Sequence, residues 1–333
     1  MIRLGIVGTN FISDTFVEST REEKDLKLQA VVSGHREHAQ QFADKYSIPN
    51  VFDSLEEMLA AHTVDAVYIA APNAFHVPMT KLCIMHHVPV LTEKPFAVNE
   101  KEAAAVFELA EKNNVLVQDA IVPLYTENFQ ILKQAISGIG TVRRVFFNYS
   151  RYSSRYDAYR AGKNPTTFRY ELCNGTFMDL GVYCIGDLVS LFGQPQAIQA
   201  HAIKLATGVD GTSSAILTYP EFDGIVMASK ISTSAFDSEI EGEDGTLKIT
   251  NPGTISSIVH IDRCTKQERE LALPCPYPMA AEIHDFLNNI RQNRKESQIV
   301  PHAQTLAILH TLDQCRYQAG IRYAKENEEG GML

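Results

Sequence analysis

The stretch "LTEKPFAV" (residues 91–98) sets a lysine between a glutamate and a proline, directly after the apolar run "VPVLT". At the end of a buried strand, Lys94 can hydrogen-bond a reacting hydroxyl or carbonyl oxygen, and its charge can stabilise a developing alkoxide. Pro95 fixes the chain there and can be cis, a geometry that aims the neighbouring side chain. Farther along, "GTFMDLGVYCIGDL" sets Asp179 and Tyr183 four residues apart, on one face of an apolar helix. A phenol with a reference pKa of about 10 is a poor base at neutral pH, and a cation such as Lys94 would lower it. An unassisted tyrosine suits proton donation during carbonyl reduction better than proton removal during oxidation. A carboxylate inside an apolar helix needs a partner, so Asp179 is hard to read as packing alone. The plain alternatives stay open: Lys94 as a solvated loop lysine, Tyr183 as a packed aromatic.

Three further motifs sit where strands end. "GIVGTNFIS" (residues 5–13) follows the first strand and opens a helix, the place where a pyrophosphate meets glycine turns and a helix N-terminus. Gly8 fills the first glycine position, Asn10 the second and Ser13 the third; Asn tolerates left-handed φ and Ser is small. Thr9, Phe11 and Ile12 complete the expected cofactor turn. The second strand ends in "SGHRE" with no early acid for a ribose 2′-hydroxyl. Ser33 and Arg36, beside His35, suit a 2′-phosphate, which favours NADP over NAD. "AAPNAFH" ends the third strand, so Ala71, Pro72, Asn73 and His76 are expected at the cofactor, although His76 also reads as a plain helix-start residue.

The elements that must hold these residues alternate in βα fashion. Apolar runs at 3–8, 26–33, 64–72, 88–92 and 115–120 predict five parallel strands covered on both faces. "NEKEAAAVFELAEKNN" predicts a helix with Asn99 as cap and Glu102 completing a capping box. After about residue 120 the texture changes to closely spaced strands between Thr141 and Asp262, with helices at 175–193, 279–292 and 301–326 and a frayed "ENEEGGML" tail. The fold class is α/β: a doubly wound parallel sheet over 1–120, then an α+β domain with a mostly antiparallel sheet over 121–333.

Bulk properties exclude several function classes. A net charge of −10 argues against broad nucleic-acid or anionic-membrane binding. No apolar run reads as a membrane span, and no leader segment is apparent at the start. Six scattered cysteines without a C-x-x-C pattern read as reduced thiols in a cytoplasmic protein. His35, His38, His86 and His87 lack the further ligands a metal site needs, so none is expected. The Tyr- and Arg-rich segment 151–169 reads as a substrate-flanking loop or subunit contact, with Arg169 a candidate substrate ligand.

Taken together, "GIVGTNFIS", "APNAFH", "TEKPFA", "GTFMDLGVYCIGDL" and "YPMAAEIHDF" resemble, in order and separation and over nearly the whole chain, the Gfo/Idh/MocA oxidoreductases. That resemblance implies hydride transfer between nicotinamide and a sugar, polyol or related alcohol. It implies Lys94 as the catalytic lysine, Asp179 as a substrate-positioning or relay carboxylate, Tyr183 in the acid/base slot, Glu93 near the nicotinamide ribose and Tyr277 closing the site. It also implies a homodimer or homotetramer formed through the open sheet face. Asn10 departs from the family's second glycine, and Tyr183 stands where many members carry His. A cofactor-binding regulator without turnover and an NAD-dependent glycosidase of the same family are the alternative functions.

Overall fold

Six strands build the first sheet: β1 (Ile2–Val7), β2 (Leu26–Val32), β3 (Asn50–Phe52), β4 (Ala66–Ile69), β5 (Val90–Glu93) and β6 (Val117–Ala120). The computed structural model describes residues 1–324 and 326. All pairings in this sheet are parallel, in the order β3-β2-β1-β4-β5-β6. Every residue of β4, β5 and β6 is buried. That two-sided cover is why these segments read as unbroken apolar runs rather than alternating ones. The three-residue β3 has no such signature and is absent from the five strands expected. The helix Glu100–Asn113 starts as its sequence dictates: the Asn99 side chain accepts from the Glu102 amide at 2.8 Å.

The chain leaves this unit at Ile121 and re-enters it from Tyr277 to Leu306, so a single cut after residue 120 does not describe it. The reason is that β6 lies at the edge of its sheet and needs cover. The Val117 amide donates to the Lys295 carbonyl at 3.3 Å, and a His302 ring nitrogen lies 2.9 Å from the Val117 carbonyl. Asn289, in the helix Ala280–Arg291, donates to the Gln118 side chain at 3.1 Å.

The second unit, Val122–Pro276 with the chain from Ala307 onward, carries eight strands. They are β7 (Val142–Ser150), β8 (Ala197–Lys204), β9 (Asp210–Thr218), β10 (Asp223–Ser229), β11 (Ser238–Gly242), β12 (Gly245–Thr250), β13 (Ser257–Asp262) and β14 (Glu268–Glu270). Their order is β14-β13-β12-β11-β7-β10-β9-β8, antiparallel except for β7 with β10. The helix expected over 175–193 covers one face. It opens as a π turn, Phe177–Gly181, and continues as an α-helix, Val182–Phe192. Leu188 presses so closely on Gly224 of β10 that a Cβ there would lie 2.7 Å from Leu188 Cδ2. By length and composition the helical stretch Tyr170–Phe192 is apolar enough to cross a membrane, contrary to the sequence reading; most of it is buried as the core helix of this unit. The opposite sheet face leaves Ile203, Ile216 and Met227 exposed. The last helix ends at Gln318, earlier than expected, and the tail from Asn327 lies outside the described residues.

Candidate active site

In the first unit the parallel strands all end at one edge, and the strand-end motifs meet there. Gly8 follows β1 with φ +100°, and a Cβ on it would sit 2.4 Å from the Ala70 carbonyl oxygen at the end of β4. Only glycine accepts both the conformation and the close approach. Its amide donates to Val32 at the end of β2 at 2.8 Å. Asn10 does not substitute for a glycine in the left-handed region. Its φ is −87° and ψ −180°, and it caps the helix Phe11–Ser19 by accepting from the Ile12 amide at 2.9 Å. Its Nδ2 also donates to Ala70 O at 3.1 Å, fastening the turn to β4. Ser13 is buried and donates to Gly8 O at 2.9 Å. Phe11 is 73% exposed at the first turn.

Thr9 and Ser33 hydroxyls lie 3.2 Å apart across the β1 and β2 ends. Arg36 begins the helix Arg36–Tyr46 and pairs with Asp53 at 2.6 Å, both side chains largely in water. His35 occupies the preceding cap position without a capping hydrogen bond, its ring edge against His38. These residues fit a phosphorylated dinucleotide: a glycine turn with no room for a side chain, a helix N-terminus, then hydroxyl and guanidinium at the next strand end.

Pro72 precedes a short 3-10 turn, Asn73–Phe75. His76 is buried rather than solvated. Its Nε2 lies 2.8 Å from the Ala71 carbonyl and its Nδ1 2.9 Å from the Pro95 carbonyl, so the ring ties the β4 end to the segment after β5. Lys94 directly follows β5, and the Lys94–Pro95 peptide is cis. Glu93 is buried and accepts from Tyr68 Oη at 2.7 Å.

Two acids at this edge were not among the residues picked out from sequence. Asp119 in β6 accepts from Thr305 Oγ1 at 3.1 Å. Burial pushes its carboxyl up to about 7; the Thr305 hydroxyl and the Lys94 charge pull it down, and the Glu93 charge pushes it up. Glu282, in the helix Ala280–Arg291, is fully buried, and neither carboxyl oxygen has a hydrogen-bond partner among the described residues. Burial drives it well above the usual carboxylate range, and the charges of Glu93 and Asp119 add to that. An acid ending a strand in "VQDA" was the available signal for Asp119; Glu282 gives none, because its burial depends on the returning chain.

In the second unit Asp179 lies in the π turn and Tyr183 in the α-helix that follows, so the regular helical spacing expected for the pair is widened. Asp179 is paired with Lys230, a partner sequence reasoning missed. Tyr183 is half-buried, edge-on to Tyr149 with ring centres 5.7 Å apart. Arg169 is exposed and donates to the Asn164 carbonyl at 3.0 Å. Tyr277 is half-buried at the point where the chain returns to the first unit.

The strand order and glycine turn of the first unit define the dinucleotide-binding α/β class. Residues 2–120 match the oxidoreductase family with an NAD-binding Rossmann fold, and residues 129–248 match the GFO/IDH/MocA C-terminal domain. The chain belongs to this GFO/IDH/MocA oxidoreductase family. It is 41% identical over 329 residues to scyllo-inositol 2-dehydrogenase (NADP(+)) IolU of Bacillus subtilis, covering 97% of this chain and 98% of that one. It is 28% identical to trans-1,2-dihydrobenzene-1,2-diol dehydrogenase of Danio rerio, over 98% and 99% of the two chains. A solved oxidoreductase from Thermotoga maritima shares the fold, with TM-score 0.82 at 23% identity over 98% and 99% of the chains.

Proposed function

We propose that the protein is an NADP-preferring polyol dehydrogenase, acting on an inositol or a similarly hydroxylated ring. The observation that carries this reading is the 41% identity, across essentially the full length of both chains, to a scyllo-inositol 2-dehydrogenase (NADP(+)). The Ser33 and Arg36 pair at the β2 end supports the phosphorylated cofactor. The turn at Gly8 and Asn10 with Ser33 and Arg36 would hold the nicotinamide dinucleotide, which when bound would supply the hydride acceptor for oxidation or donor for reduction. Tyr183 Oη takes the hydroxyl proton in oxidation and donates it in reduction. The Lys94 ammonium stabilises the alkoxide. Asp179 accepts a hydrogen bond from a substrate hydroxyl and so fixes the ring. Arg169 and Tyr277 border the substrate.

We also place the protein in the cytoplasm, in keeping with six free cysteines. Its assembly is a homo-oligomer formed through the open face of the second sheet. Ile216 pairs with Ile225 across β9 and β10, and with Met227 and Ile203 they leave an apolar stripe on that face.

The test is a panel of scyllo-inositol, myo-inositol, sugars and diketones assayed with NADP+/NADPH and NAD+/NADH. Net turnover of a polyol with NADP+ is the expected result. Tight NADPH binding without net turnover of any compound would support the regulator reading, and cofactor-dependent glycoside cleavage without net NADPH change the glycosidase reading.

A further inference from the structure

We propose that Lys230 is a positioning residue: its buried ammonium locks the Asp179 carboxylate in the orientation in which it meets substrate. This rests on the reading of Asp179 as the group that holds the substrate hydroxyl.

Lys230 directly follows β10, and it continues that strand's inward-facing set: Val226, Ala228 and Lys230 are all buried. Its backbone is pinned on both sides. The Lys230 amide donates to Gly211 O at 2.9 Å, and the Ser153 amide donates to Lys230 O at 2.9 Å. Its Nζ donates to Asp179 Oδ2 and, at 2.5 Å, to Thr167 Oγ1, and lies 5.6 Å from the centre of the Phe168 ring.

The pair is lopsided. The Lys230 side chain is 4% exposed and that of Asp179 is 37% exposed. A structural core pair buries both members, and an incidental surface pair leaves both in water. Here the costly burial falls on the cation, while the carboxylate stays accessible. A buried ammonium is stabilised by a charged, hydrogen-bonding partner, and the Asp179 carboxylate, turned toward it, is that partner. Fixing the first carboxylate oxygen also removes the side-chain freedom that substrate binding would otherwise have to freeze out.

The backbone of Asp179 is held from the same place. Asp210, the first residue of β9, accepts from the Phe177 amide at 2.7 Å, and its carbonyl accepts from Thr176 Oγ1 at 2.9 Å. Gly175, at φ +148°, lets that carboxylate in: a Cβ there would lie 1.9 Å from Asp210 Oδ1. β9 and β10 are antiparallel neighbours, with Thr212 opposite Ser229. One end of one strand pair therefore anchors both the π turn and the side chain it presents.

A double-mutant cycle tests this with purified protein, scyllo-inositol and NADP+. Lys230→Gln keeps a donor but removes the charge, and is expected to lower kcat by about ten- to a hundredfold, with NADPH affinity unchanged. Asp179→Asn is expected to lose about a hundredfold or more. Adding Lys230→Gln to Asp179→Asn should cost nothing further beyond about threefold, because the lysine acts only through the carboxylate. If Lys230→Gln does not fold, Lys230→Arg carries the same cycle, with a smaller loss that again vanishes in the Asp179→Asn background. A wild-type kcat in Lys230→Gln, or a full additional loss beside Asp179→Asn, overturns the proposal. So does failure of both lysine variants to fold, which would make the residue a core cation. An active Asp179→Asn overturns the reading of Asp179 itself; an inactive one beside an indifferent Lys230→Gln overturns only the role of the lysine.

Discussion

In the first unit Glu93, Asp119 and Glu282 are buried at the strand edge, and burial drives Asp119 and Glu282 toward the neutral acid. In the second unit the half-exposed Asp179 sits against a buried ammonium. Both units bring carboxyl groups to a functional edge, yet the direction of the charge differs. Where desolvation dominates, the ionised form is penalised; where a buried cation donates a hydrogen bond to the carboxylate, the ionised form is favoured. The first arrangement sets the Lys94 charge against the burial of Asp119. The second keeps a permanent acceptor.

The largest expected effect comes from removing the cation of the first arrangement. Lys94→Ala should lower turnover by at least about a hundredfold, the loss expected for a positioned acid/base or oxyanion partner. Thermal unfolding should change little, because Lys94 follows the strand rather than filling its core. Retained activity would show that the EKP segment only shapes the loop.

Next is the phenol. Tyr183→Phe keeps the ring against Tyr149 and deletes only the hydroxyl. Reduction should slow by about a hundredfold, with NADPH affinity and melting temperature near wild type. Wild-type turnover would reduce Tyr183 to packing and hand the proton to Lys94, Asp179 or water.

The neutral acids give a pH signature. Burial pushes the folded Asp119 carboxyl up to about 7, against about 3.9 in the unfolded chain. A group raised in the folded state contributes stability that is complete below its unfolded value and is lost as pH rises through the folded one. Wild-type stability should therefore fall between about pH 4 and pH 7 relative to Asp119→Asn, which still accepts from Thr305. The difference should grow by about 4 kcal/mol across that window, shared in part with Glu282 because the two titrations interact. Urea unfolding of both proteins at pH 5 and pH 9 captures the upper part of that window, about 3 kcal/mol. A pH-independent difference would mean that Asp119 stays charged, and the contrast between the two units would fail.

How legible these regions were follows from how local their signals are. Gly8, Pro72 and Lys94 each end an apolar run, and six parallel strands bring such ends to one edge by topology alone. Asn10 was visible as a residue but not as a role: it is an extended helix cap, because the cross-strand bond to Ala70 fixes it there. Lys230 was missed because its partner lies 51 residues away. Only the alternation Val226, Ala228, Lys230 could have exposed a lysine facing inward. The "ERE" strand has no apolar residue to announce it, and the return at Tyr277 depends on β6 needing cover.

The smallest expected effect tests the cofactor preference. Arg36 is not idle: its guanidinium already holds Asp53 at 2.6 Å, with both side chains about three-fifths exposed. An exposed pair of this kind contributes little to folding, so Arg36→Ala should leave the melting temperature almost unchanged. A 2′-phosphate offers the same guanidinium a denser charge and more acceptor oxygens than one carboxylate does. Arg36→Ala should therefore weaken NADPH on the order of tenfold and leave NADH within about twofold. Asp53→Asn makes the opposite change, because it frees the guanidinium without removing it; NADPH should bind slightly tighter and NADH unchanged. Fluorescence titration of both cofactors against the three proteins reads this directly. If NADPH and NADH weaken equally in Arg36→Ala, the arginine serves only the Asp53 pair. Discrimination would then have to come from Ser33 and Thr9, whose hydroxyls meet at the neighbouring strand ends.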